Sequence, residues 1–88
     1  MMDEKLHETL EALRAEIARL EGRDPRARGR LEALVEDIER RIAEPDDVEH
    51  HENLIDGLRE AIDQFEVEHP RATGLLNHVM VTLANMGI

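Results

Sequence analysis

Residues 71–88 read RATGLLNHVMVTLANMGI, and Arg71 is the only charged side chain among them in a chain that is 36% charged. How this stretch is sheltered from water decides the architecture. Ala72, Leu76, Val79, Leu83 and Met86 recur at spacings of 4, 3, 4 and 3, the row that one side of an α-helix presents. Leu75 and Met80 flank that row. The remaining positions include Thr73, Gly74, Asn77, His78, Val81 and Asn85, none of them charged. A helix exposed to water normally carries charge on its outer side, so the pattern predicts a helix over 70–86 that is buried on most sides. Three other helices of this length cover one face of it, and covering the rest calls for a second copy or a partner. The expectation is a homo-oligomer, most simply a two-fold dimer, with Leu58, Ile62, Phe65, Leu75, Leu76, Val79, Met80, Leu83 and Met86 at the interface. Gly57 and Gly74 are expected to mark close backbone approach. Gly87 is read as the C-terminal cap, with Ile88 folding back on the last turn.

Upstream of this stretch, Pro70 pushes His69 out of helical geometry and then begins the last helix itself, so His69 and Pro70 are the expected hinge. Before the hinge, Leu54, Leu58, Ala61 and Phe65 repeat at 4, 3, 4, with Val48, Ile55 and Ile62 in a second row beside them. These rows predict a helix over 47–68, opened by Asp46 or Asp47, with an apolar face wide enough for more than one neighbour. Pro45 closes the preceding helix, over 25–43, whose stripe is Leu31, Leu34, Val35, Ile38 and Ile42. Asp24 and Pro25 start it as cap and first-turn proline, and Arg40 and Arg41 suit its last turn. The first helix, over 3–21, carries Leu6, Leu10, Leu13, Ile17 and Leu20 in a narrow coiled-coil-like stripe. Asp3 and Glu4 sit at its positive end, and Gly22 stops it. The fold class is therefore all-α: three to four amphipathic helices in an antiparallel hairpin or bundle, forming one domain over 1–88.

Eighty-eight residues form one domain with a small core, and such domains rely on a staple. With no cysteine, neither a disulfide nor a thiolate metal site is available. Regular helix packing and self-association remain. Phe65 is the single aromatic, too few for a base-stacking platform, and a net charge of −10 repels a phosphate backbone. Nucleic acid is thus not an expected partner. The stretch MMDEKLHETL is acidic and lacks an apolar run, and residues 72–88 are too short and polar to span a bilayer. No membrane association is expected, and the localisation read from these features is cytoplasmic.

The titratable groups fall into several clusters. Residues 44–69 hold ten carboxylates, Glu44, Asp46, Asp47, Glu49, Glu52, Asp56, Glu60, Asp63, Glu66 and Glu68, against one base, Arg59. Such a run is most often a solvated face; its functional reading is a surface for a basic protein. EPDDVEHHEN, residues 44–53, gathers metal-binding side chains, yet adjacent His50 and His51 diverge by about 100° on a helix and leave only an Asp47/His51 clamp. Two Glu-x-x-His pairs, Glu4 with His7 and Glu66 with His69, have the spacing of di-iron bundles but lie beside the apolar rows, not on them. Arg23, Arg26, Arg28 and Arg30 crowd GRDPRARGR; without aromatic neighbours they read as a solvated loop or as partners for the acidic surface. The chain has no serine, no cysteine and no glycine-rich phosphate loop, which removes the common nucleophilic triads. Neither an enzyme nor a cofactor is expected, and no catalytic or metal residue is assigned.

Phe65, Glu66, His69 and Pro70, followed by Leu83, Met86, Gly87 and Ile88, resemble a family of small bacterial proteins of unknown function with a Phe-Glu-x-x-His-Pro element and a Leu-x-x-Met-Gly-Ile-like tail. The resemblance runs along the whole chain and implies an all-helical fold without supplying an activity. The sequence thus favours a non-enzymatic, self-associating helical module. The alternatives are an acidic regulator that binds a basic protein through residues 44–69 and a metal-binding helical bundle.

Overall fold

The computed structural model describes residues 2–20 and 22–86, with side chains from Glu4 onward. The expected roles of Gly87, Ile88 and the Asp3 side chain lie outside the described residues. Four helices follow one another: α1 (Met2–Leu20), α2 (Pro25–Ala43), α3 (Val48–Phe65) and α4 (Pro70–Met86). Among the described residues there is no strand, and the fold is all-α.

Each helix packs against two others. α1 and α3 both contact α2 and α4, which closes the four helices into a ring around one core. Every helix contributes an inward row at 3- and 4-residue spacing: Leu6, Leu10, Leu13 and Ile17; Ala27, Leu31, Leu34 and Ile38; Leu54, Leu58, Ala61 and Phe65; Ala72, Leu76, Val79 and Leu83. Fully burying one such leucine is worth about 1.5–3 kcal/mol, so the rows, more than helix propensity, hold the helices in place. Val48, by contrast, is exposed, and Ile55 and Ile62 are half-buried, so the second apolar row of α3 forms the margin of the core.

The connections follow local rules. Gly22 takes φ 85°, a left-handed conformation that glycine adopts without steric cost, and lets Arg23 N–H donate to the Leu20 carbonyl. Asp47 caps α3 by accepting from His50 N–H at 3.0 Å. α3 ends at Phe65, three residues before the expected end at Glu68. The residue before a proline is denied helical geometry. The chain therefore turns over 66–68, and His69 N–H closes the turn on the Phe65 carbonyl at 2.8 Å. α4 then packs against α3.

α4 corrects one expectation. α1 and α3 cover its inner row completely, yet Gly74, Asn77, His78, Val81 and Asn85 are exposed along the outer flank. One copy of the chain therefore shelters the inner row of α4, and its outer residues, polar or small apart from Val81, stand in water. Gly74 has open space where a Cβ would stand and marks no close approach. Gly57 faces side chains and not backbone: an added Cβ would lie 3.2 Å from Arg30 Nη2 and 3.7 Å from Leu34 Cδ2, across the α2–α3 contact.

Candidate functional site

Polar contacts tie α2 to α3 at both ends of the pair. The first joins the two linkers that flank them. Asp24, the cap of α2, uses Oδ1 to accept from Ala27 N–H at 3.3 Å, and its Oδ2 accepts from His69 Nε2–H at 2.7 Å. Asp24 adopts φ 46°, ψ 65°, a left-handed conformation that a short polar side chain tolerates better than most. The imidazole of His69, and then the Ala27 N–H, hold the Asp24 carboxyl below its ordinary value. The contribution of this contact is present above the ordinary carboxylate range and is lost as pH falls through the lowered value. The His69 ring also meets Phe65 edge-on, with centroids 6.2 Å apart. Glu68, exposed beside it, brings a second carboxylate to the corner. One donor atom each from Asp24, Glu68 and His69 lies within 4.8 Å of the others. An imidazole and two carboxylates suit a divalent cation, but here the Asp24 and His69 donors are engaged with each other.

The second contact lies inside the bundle. Arg41 is 3% exposed and His51 is 6% exposed, and Arg41 Nε–H donates to His51 Nδ1 at 2.8 Å. That bond requires a bare Nδ1, so the imidazole carries its proton on Nε2. Burial pushes the His51 imidazole below its ordinary value, and the Arg41 guanidinium pushes it the same way. On the outside of the same end, Arg40 pairs with Glu44 at 3.3 Å and Asp47 at 3.4 Å, and His50 Nε2 lies 3.0 Å from the Asp37 carbonyl oxygen. His50 and His51 thus diverge as the helical geometry requires. Asp47 and His51 make no clamp, because Asp47 is engaged with His50 N–H and Arg40.

The family model described as Domain of unknown function (DUF4404) matches residues 6–88. The chain belongs to the DUF4404 family. No curated protein and no solved structure matches it.

In this DUF4404 chain the other residues singled out from the sequence are spread over the surface. Glu4 and His7 are exposed outside the α1 row. Glu66 is exposed, and His69 faces Asp24. The linker arginines are dispersed: Arg23 donates to the Arg19 carbonyl, Arg28 pairs with Glu32 at 3.3 Å, and Arg30 extends over Gly57. The outward carboxylates of α3, Glu49, Glu52, Asp56, Glu60 and Asp63, are exposed, and Arg59 lies 3.7 Å from Asp56. Of the nine residues expected at an intersubunit face, Leu58, Phe65, Leu76, Val79 and Leu83 are buried in the core of the single chain. They are spoken for by α1–α4 packing and offer nothing to a second copy of this fold, which corrects that part of the assignment. Ile62, Leu75, Met80 and Met86 are half-buried at the margin. His69 and Pro70 stand at the α3–α4 turn, where the sequence puts the hinge. Among the described residues no helix is long and apolar enough to cross a membrane.

The Arg41–His51 pair is what the sequence reading missed. The signal was present: Arg41 extends the inward row 27, 31, 34, 38 by three, and His51 precedes the row 54, 58, 61, 65 by three. From the sequence Arg41 reads as a last-turn cation and His51 as half of an Asp47 clamp, whereas register places both inside.

Proposed function

We propose that this DUF4404 chain acts without catalysis, as an up-and-down helical module that associates with a second copy of itself through the outer flank of α4. The observation that carries this reading is the absence of charge along that flank in a chain of net charge −10. At physiological salt, like charges repel over roughly 8 Å. Joining two copies through α3 would set carboxylates against carboxylates. Joining them through α4 sets Gly74, Asn77, His78, Val81 and Asn85 against their own counterparts under a two-fold axis. Val81, 48% exposed, is the large apolar side chain on that flank. Half-buried Leu75, Met80 and Met86 border it and supply apolar surface beyond what one chain covers.

Sedimentation equilibrium at micromolar concentration tests the reading. The expected result is a species of twice the 10.1 kDa chain mass that reverts to one chain mass in Val81→Glu, with helicity unchanged. A wild-type chain that sediments at 10.1 kDa throughout that range overturns it.

The exposed carboxylates of α3, opposed on that helix by Arg59 alone, favour a second reading: docking of a basic protein. Its mark would be salt-sensitive capture of a basic ligand, lost when Asp56, Glu60 and Asp63 are reversed to lysine. Capture that is indifferent to salt would count against it.

A further inference from the structure

We propose that Arg41 and His51 form an acid-released latch that opens the bundle at the α2–α3 linker while the Asp24–His69 contact holds the opposite end shut. The argument begins with placement. Arg41 lies seventeen residues along the chain from Asp24, and His51 eighteen before His69, so the two contacts are separated by most of the length of α2 and α3, about 25 Å at 1.5 Å per residue. They differ in chemistry. His51 accepts a hydrogen bond at Nδ1 from a cation. A proton from solvent that binds Nδ1 occupies the accepting lone pair and sets a second positive charge against the guanidinium. Both side chains are buried, where water screens that repulsion less than at the surface. His69 instead donates from Nε2 to a carboxylate, a bond that a neutral or a protonated imidazole makes equally in kind. Between the ordinary imidazole value and the carboxylate range, acid therefore acts on the His51 end, and the Asp24 end yields only at lower pH.

The surroundings of His51 support the same direction. From α2 it faces Arg41. On its own helix, His50 opposes its protonation and only Glu52 favours it. Glu52 is exposed, so solvent screens its effect. From α4, the other helix packed on α3, the half beyond Val79 brings no titratable side chain, and His78 points outward. Arg40 is occupied on the outer side by Glu44 and Asp47. Because the folded state holds the His51 imidazole below its ordinary value, the latch is fully closed above that value. Closure weakens as pH falls towards the lowered one.

Amide hydrogen exchange of the full chain, corrected for the intrinsic pH dependence of exchange, tests the latch. From about pH 6.5 down to the ordinary carboxylate range, the opening constant of residues 38–55 is expected to rise by up to about tenfold per pH unit, while residues 22–28 and 64–73 keep their protection. His51→Gln, which keeps an acceptor that does not titrate, should abolish the pH dependence. So should the paired change Arg41→Leu with His51→Leu, which replaces the latch by apolar contact. His50→Gln should leave the dependence intact. The proposal is overturned if the wild-type protection is flat with pH, if both ends open together, or if either His51 variant retains the acid response.

Discussion

α3 and α4 make the same contribution to the core and present opposite faces to the solvent. Each buries a row of four, Leu54/Leu58/Ala61/Phe65 and Ala72/Leu76/Val79/Leu83, with matching 3- and 4-residue spacings. Outside, α3 carries a run of carboxylates, and α4, after Arg71, carries no charge. Burial in the ring is therefore decided by the inner row alone. The outer composition is left free to differ between the two helices, and it says nothing about how many sides of a helix its own chain covers. A further difference is that the row of α3 begins with a polar residue, His51, whereas that of α4 is apolar from Ala72 on.

The comparison breaks most readily at the rows. Leu58→Ala in α3 and Leu76→Ala in α4, both at residues fully buried in the ring, should each destabilise by about 2–5 kcal/mol in urea or guanidinium titrations. A markedly smaller loss in α4 would show that its row is not equivalent. His51→Leu leaves the buried Arg41 Nε–H without its acceptor and should cost about 1–3 kcal/mol at neutral pH. Combining it with Arg41→Leu should restore most of that loss, and a double-mutant cycle measures the coupling directly. Gly74→Ala, in open space on the outer flank of α4, should stabilise the monomer by up to about 1 kcal/mol through helix propensity. The outer faces sharpen the comparison at the smallest scale. Asp56→Asn on α3 and Val81→Glu on α4 should each change the stability of the single chain by less than about 0.5 kcal/mol, with only Val81→Glu altering the mass in solution.

Much of this was legible from residue spacing. The rows from Leu6, Leu31, Leu54 and Ala72, the Asp24–Pro25 start, the Asp47 cap and the Pro70 break all act within a few residues of themselves, and the helices form where those signals put them. Legibility failed where the deciding contact came from elsewhere in the chain. The run to Glu68 looked helical until the turn before Pro70 closed on the Phe65 carbonyl. Gly57 and Gly74 look alike in sequence, but only Gly57 has Arg30 lying over it. The neutral flank of α4 read as buried because composition cannot count neighbours.

By itself the sequence determined four amphipathic helices, their caps and breaks, and the apolar rows, because hydrogen bonds and side-chain spacing along a helix are local properties. Tertiary structure alone decided that Asp24 meets His69, that Arg41 is buried against His51 and that α4 leaves one flank in water. Those outcomes depend on which helix faces are brought together across many residues of chain, a matter of packing geometry that no short stretch encodes.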